Sequence, residues 1–192
     1  MRAYFNEASA NEDHYPTSID PRILFVRRVL EHLGDLNRGV AADIGSGKGR
    51  FARLVKDQNP GATVVSLDIA ETMLERIPGD IAKVAASMTQ VPLRTGSVDG
   101  AYAVESLEHA VDIEAAVAEL CRIVKPGGRI VVIDKNAQAW GRLETPAWER
   151  WFDQKDLEKL LKQHCRSVRS EPISYWEDVA PDGLFLAWYA VK

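Results

Sequence analysis

Cysteine is scarce in this chain of 192 residues: Cys121 and Cys165 are the only two, and both stand in helix-like amphipathic patterns at no metal-ligand spacing. A disulfide framework and a zinc module are thereby excluded, and two reduced, buried thiols are expected. Long apolar runs are also missing, and nothing approaches the ~20 residues that a membrane span requires. The opening stretch, MRAYFNEASANEDHYP, has neither the apolar core of a secretory signal nor the Arg-rich, acid-poor character of a transit peptide. These absences predict a cytoplasmic protein with no membrane contact. Positive charge is in deficit, 24 Lys and Arg against 28 Asp and Glu, for a net charge of -4. That balance disfavours a general nucleic-acid binder, and the basic run KLLKQHCRSVR reads as a solvated helix face. Internal repeats, low-complexity tracts and linkers are absent, so one domain over 1–192 is expected.

What is present is an alternation. DPRILFVRRVLEHL carries apolar residues at helical spacing behind an acid and a proline, both helix-start signals. GVAADI then reads as a strand, GRFARLVKDQ as a helix, ATVVSLD as a strand and AETMLERI as a helix. IAKVAAS is a weaker third strand, and SVDGAYAVES a fourth that leads into the helical pattern LEHAVDIEAAVAELCRIV. Gly127 and Gly128 stop that helix, and RIVVIDK is a fifth strand. Strands apolar throughout, each followed by a helix, predict a doubly wound α/β sheet, mostly parallel. Beyond it, WERWFDQKDLEKLLKQ reads as a helix, CRSVRSEPISYWE holds a strand and GLFLAWYAVK is the last strand. Only the turn-like DVAPDG joins the final two, too short for a parallel crossover, so the sheet is expected to have seven strands with an antiparallel last one. Two less regular stretches, 1–20 and 134–147, are candidate lids over a site at the carboxyl edge of the sheet.

Gly45, Gly47 and Gly49 follow the first strand directly, where such a sheet presents its binding crevice. Lys48 is followed by Gly49 and not by Ser or Thr, so the loop is not of the nucleoside-triphosphate type. Asp43, two residues ahead of the glycines, would oppose a pyrophosphate but would favour a ligand with an ammonium or sulfonium; its alternative is to satisfy N–H groups of the turn. Asp68 ends the second strand 23 residues after Gly45. An acid there suits the hydroxyls of an adenosine ribose, with helix capping as the alternative. Taken together, these residues fit a positively charged adenosine ligand, S-adenosylmethionine.

DIGSGKGRF, VVSLDIAETML, SVDGAYAVESLEHAVD and ELCRIVKPGGRIVVID resemble, in that order, the motifs of a class I S-adenosylmethionine-dependent methyltransferase of the small bacterial type, and they cover 43–134 closely. The resemblance implies that Asp43, Gly45, Ser46 and Gly47 hold the methionine end of the cofactor. It also implies that Asp68 holds the ribose, with Ile69 and Met73 beside the adenine. Relatives often carry an acid after the third strand; here Ser87 and Met88 stand instead, and the resemblance passes the adenine contact to the Ser87 hydroxyl or the Met88 backbone, although Met88 reads equally as core.

Methyl transfer is an in-line displacement that relies first on orientation and needs a base only when the acceptor must lose a proton. Within that implied activity, His109 and Glu105 are the candidate catalytic groups, each with a structural or cofactor-positioning alternative. Tyr4, Tyr15, Asn136 and Trp140, on the two lids, are candidate substrate contacts. Trp148 and Trp151, three apart, are expected to share a helix face in the core. No metal-ligand set is read. The function implied is methylation of a small-molecule N, O or S nucleophile. Alternatives are a peptide or RNA methyltransferase, or a non-catalytic cofactor-binding partner; the acids of the N-terminal arm (Glu7, Glu12, Asp13, Asp20) would suit a cationic peptide.

Overall fold

The structure, a computed structural model, describes residues 1–192. One seven-stranded sheet runs through it in the order β3-β2-β1-β4-β5-β7-β6. Its strands are β1 (Val40–Ile44), β2 (Thr63–Asp68), β3 (Ala82–Ala85), β4 (Val98–Val104), β5 (Val124–Lys135), β6 (Ser167–Ile173) and β7 (Phe185–Val191). The first five pair in parallel, while β7 inserts antiparallel between β5 and β6. The short DVAPDG connection has the expected effect, because no crossover fits into it.

The helices are α1 (Arg2–Ala8), α2 (Leu24–Leu33), α3 (Arg50–Gln58), α4 (Glu71–Leu74), α5 (Ile113–Ile123) and α6 (Gln154–Lys162). Apolar residues of α2 and α3, such as Val26, Val29, Phe51 and Val55, join a cluster of 23 buried residues on one face of the sheet. Those of α5 and α6, such as Val117, Leu120, Leu157 and Leu161, join one of 25 on the other. Two clusters of near-equal size bury both faces, which is why the central strands are mostly apolar on both sides. Cys121 and Cys165 lie in the second cluster, free and buried, with their sulfurs 3.8 Å apart.

Three element boundaries depart from the sequence reading. The pattern after β4 breaks into a 3-10 turn, Leu107–His109, before α5 begins under the Asp112 cap. α6 starts at Gln154, capped by Asp153, whose side chain accepts from the N–H groups of Lys155 and Asp156. Trp148 and Trp151 therefore precede the helix and share no helical face; Trp151 is buried against Trp140, and Trp148 meets Tyr4. Finally, residues 2–8 form a helix in a segment read as irregular, because what orders it is distant in sequence.

Candidate functional site

Above the carboxyl ends of β1, β2 and β4 lies a cleft lined by the glycine loop, the ends of those strands and the N-terminal segment. Gly45 and Gly47 take φ of +71° and +52°, left-handed values that a side chain resists. The loop is pinned to the neighbouring strand by the N–H groups of Gly45 and Ser46, which both donate to the Leu67 carbonyl at 2.8 and 2.9 Å. Asp68 accepts from Gly47 N–H at one carboxylate oxygen and from Ala70 N–H at the other, each at 2.8 Å. Asp68 thus caps the turn into α4 while it also lines the cleft.

Asp43 differs in that one carboxylate oxygen, Oδ2, is buried without a hydrogen-bond partner. Burial, reinforced by the negative charge of Asp68, pushes its carboxyl up to about 8; the Tyr102 hydroxyl nearby, too poorly aligned for a full hydrogen bond, offsets this most, and Arg50 less. An unpaired acid in a dry place is costly unless a cation or donor arrives. Ser46 Oγ is likewise buried and unpaired. Ile69, Met73, Ser87 and Met88 complete this side of the cleft, with the Ser87 hydroxyl engaged by Thr89 at 2.8 Å.

Residues 1–17 roof the cleft through Met1, Phe5, His14, Tyr15 and Pro16. Polar ties hold them: Arg2 to Glu71 at 2.5 Å, Thr72 Oγ1 to Asn6 Oδ1 at 2.9 Å, Lys48 to Glu12 at 2.7 Å, and Arg53 Nε to the Thr17 carbonyl at 3.2 Å. Lys48, whose side chain is 1% exposed, would be an isolated buried ammonium without Glu12. Sequence reasoning missed this tie, although a lysine inside a glycine turn that binds no phosphate calls for a carboxylate. Arg50 was missed too. It lines the cleft beside the loop and pairs at 2.6 Å with Glu105, which adopts φ +49° where β4 ends.

The far wall is built by His109, Ala110 and Val111. Phe5 packs edge-on against the His109 ring, with centroids 5.1 Å apart, and Tyr15 against Phe5 at 6.0 Å. Behind His109 lie Glu108, Asp134 and Glu149, all buried, with the Lys135 ammonium bonded to both Glu108 and Glu149. Burial holds His109 down at about 4, with Glu149 opposing that shift and Lys135 adding to it. Burial beside Asp134 raises Glu108 instead, with Lys135 partly opposing the shift. The ligand atoms of Glu108, His109 and Glu149 lie within 4.8 Å of one another, but the Lys135 ammonium already supplies positive charge there.

Of the candidate residues, the cleft gathers Asp43, Gly45, Ser46, Gly47, Asp68, Ile69, Met73, Ser87, Met88, Glu105, His109 and Tyr15. Tyr4, Asn136 and Trp140 are not among its lining residues, which corrects the expectation that both irregular stretches meet over it. Tyr4 turns to Trp148, and Asn136 bonds the Gly183 carbonyl and caps Gln138. Trp140 stacks edge-on against Trp151, and no residue of 134–147 lines the cleft, because Arg142 and Asn136 tie that stretch to the 182–183 turn. Two acids of the N-terminal arm are engaged within the chain, Glu12 by Lys48 and Asp20 by Arg22, which weakens the case for a cationic peptide partner.

Asp68→Asn removes the charge that would face ribose hydroxyls and, because an amide has one acceptor oxygen, gives up one of the two bonds from Gly47 and Ala70 N–H. We expect it to weaken binding of an adenosine ligand about tenfold while leaving transfer from the saturated complex within about twofold, since the group touches no reacting atom. Titration calorimetry and single-turnover rates check this; unchanged binding with a lost rate would contradict it.

Comparison with known proteins gives three findings. A family model described as a methyltransferase domain matches residues 42–132. The demethylmenaquinone methyltransferase of Beutenbergia cavernae is 30% identical over 155 residues, 79% of this chain, and the chain spans 61% of that relative's own length. Among solved structures, the methyltransferase bound to the Trm112 methyltransferase activator of Haloferax volcanii aligns with a TM-score of 0.76 at 17% identity, covering 97% of this chain and 96% of that one. Phosphoethanolamine N-methyltransferase 2 of Haemonchus contortus, in complex with S-adenosyl-L-methionine, aligns at 0.79 and 14% identity over all of this chain and 59% of that one.

Proposed function

The chain belongs to the class I methyltransferase family, and on that premise we propose that it binds S-adenosylmethionine in the glycine-loop cleft and transfers the sulfonium methyl to a small-molecule nucleophile. The observation that carries this reading is Asp43. A buried carboxyl oxygen with no partner, beside a bare glycine turn, suits the ammonium of the methionine end. Asp68, Ile69, Met73, Ser87 and Met88 then take the ribose and adenine, and Glu105 with Arg50 flanks the methionine end. Tyr15, Phe5 and His109 face the acceptor. The Beutenbergia cavernae relative acts, by its name, on demethylmenaquinone, which supports a small-molecule acceptor. No helix is long and apolar enough to cross a membrane.

Titration calorimetry tests the proposal with a signature specific to Asp43. Its carboxyl sits at about 8 in the free protein, so near pH 7 it is mostly protonated; an arriving ammonium favours the ionised form and drives the proton off. S-adenosylmethionine and S-adenosylhomocysteine are both expected to bind with release of close to one proton per site at pH 7, declining to none above about pH 9, read from the dependence of the heat on buffer ionisation enthalpy. NAD is expected not to bind. Tight NAD binding, with silence toward the other two ligands, would end the reading.

A further inference from the structure

We propose that Cys121 and Cys165 form a modification site: a thiol pair that closes into a disulfide when the protein meets a small disulfide oxidant such as oxidised glutathione, stapling α5 to the start of β6 without touching the cleft. They are the only two cysteines of the chain. Although 44 residues separate them in sequence, their sulfurs are in contact at 3.8 Å. Cys121 stands in the last turn of α5, and Cys165 in the turn between α6 and β6. Both belong to the cluster of 25 buried residues in which α5 packs on α6. A disulfide brings its sulfurs to ~2.05 Å, so the pair has only the remaining gap to close. Cys165 can close it, because it lies outside helix and strand, its N–H donating back to the Leu161 carbonyl at 2.9 Å.

The two thiols differ in access. Cys121 is 1% exposed and Cys165 8%, so Cys165 is the sulfur that an oxidant reaches first. The Cys121 thiol beside it, helped by the Lys192 ammonium, draws Cys165 below its ordinary value, while the same contact, with burial, pushes Cys121 up. The more accessible sulfur is therefore also the readier thiolate. In the first step the Cys165 thiolate attacks one sulfur of the oxidant, whose S–S bond breaks; one half leaves as a thiolate and the other stays on Cys165 as a mixed disulfide. Cys121, losing its proton to water, then attacks the Cys165 sulfur, forms the internal bond and expels the second half. The protein loses two electrons and two protons, and the oxidant becomes two thiols. The pair's position decides what the bond does. β5 and β6 both run antiparallel to β7, hence parallel to each other, and Cys121 and Cys165 stand just before their first residues. The pair thus occupies the amino edge of the sheet, opposite the glycine loop. A bond there restricts the unfolded chain across the segment between the two residues and leaves the cleft as it was.

The test incubates the full chain, first reduced with dithiothreitol and desalted, with oxidised glutathione in native buffer. The intact mass is expected to fall by two hydrogens, with peptide mapping showing Cys121 linked to Cys165 in a monomer. Tm should rise by about 5 °C and return to its starting value on renewed reduction, while the thermal shift that S-adenosylhomocysteine produces stays the same in both forms. Cys121→Ser is expected to stop at a glutathione adduct on Cys165, and Cys165→Ser to stay unmodified over the same time. Adducts on both cysteines without the internal link, disulfide-linked dimers, or a linked protein that melts no higher would overturn the inference. So would thiols that react only at the rate of global unfolding, read by repeating the reaction at rising denaturant. Should either serine variant fail to fold, the mass and mapping of the wild type decide. None of these outcomes depends on the methyl-donor reading, which the cofactor titrations test separately.

Discussion

Asp43→Asn is expected to give a protein that melts higher than the wild type and no longer binds S-adenosylhomocysteine. The buried carboxyl is held at about 8 against 3.8 for the free side chain. A group raised on folding adds stability that is present at low pH and lost as pH climbs through the folded value, so Asp43 progressively destabilises the free protein between about pH 4 and 8. Full linkage over that interval gives an upper bound of roughly 5 kcal/mol at pH 8. Relaxation around the site, and the unmet N–H groups that an Asn amide brings, reduce the expected gain to about 2 kcal/mol, or about 4–8 °C in Tm for a chain of this size. At pH 4 the two proteins should melt together. Binding should fall at least about 100-fold, because the variant offers no charge to the buried ammonium. A variant that melts no higher at pH 8, or that keeps nanomolar-to-micromolar binding, would show that the acid is satisfied in some other way.

The glycine loop offers an equally large effect, divided between two positions. A Cβ at Gly45 would fall 2.5 Å from Ser106 Cβ, at a φ of +71°. Ser106 cannot retreat easily, since it is buried and its hydroxyl donates to the Ile44 carbonyl at 2.7 Å. Gly45→Ala is therefore expected to destabilise the protein by about 3 kcal/mol or more, the sum of backbone strain and overpacking. Gly47 also has positive φ, +52°, yet nothing lies within 4 Å of its notional Cβ. Gly47→Ala should cost only about 1 kcal/mol in stability. The new methyl enters the space left for the ligand, so binding of S-adenosylhomocysteine should drop by about tenfold or more. Denaturant unfolding and calorimetry on both variants separate the two roles; a Gly47→Ala protein with wild-type affinity would place the ligand elsewhere.

The parts of this molecule that a reader of the sequence can recover are those governed by short-range pattern. Apolar strands followed by amphipathic helices made the parallel sheet predictable, and DVAPDG forced the antiparallel β7 because too few residues connect β6 to it. Asp43, the glycines and Asp68 could be singled out because a strand end, a turn and a charge define their surroundings locally. The missed features depend on distant partners. Lys48 and Glu12 are 36 residues apart, and Arg50 and Glu105 are 55 apart; each looks like an ordinary solvated charge until the fold brings it beside the other. The helix at residues 2–8 owes its place to contacts with Glu71 and Thr72. Trp148 and Trp151 misled for a related reason: their spacing fits a helix, but the Asp153 cap, which starts α6 five residues after Trp148, outweighs it. The second irregular stretch was placed over the cleft from its position after β5, whereas its polar side chains bind the 182–183 turn.

The roof over the cleft is fastened through few groups: one ion pair at the level of α4, the Asn6–Thr72 contacts beside it, the Glu12–Lys48 pair over the glycine loop, and Arg53 on the Thr17 carbonyl. The sheet beneath is locked by its hydrogen-bond ladders. We expect a molecule held between the two to leave when the first seventeen residues let go, an opening that needs no change in the strands. The release rate is accordingly expected to depend on the N-terminal arm, whose Met1, Phe5 and Tyr15 also line the cleft. The rate at which the protein exchanges its contents can drift through changes at Arg2, Asn6 or Glu12 while the residues that recognise the ligand stay as they are.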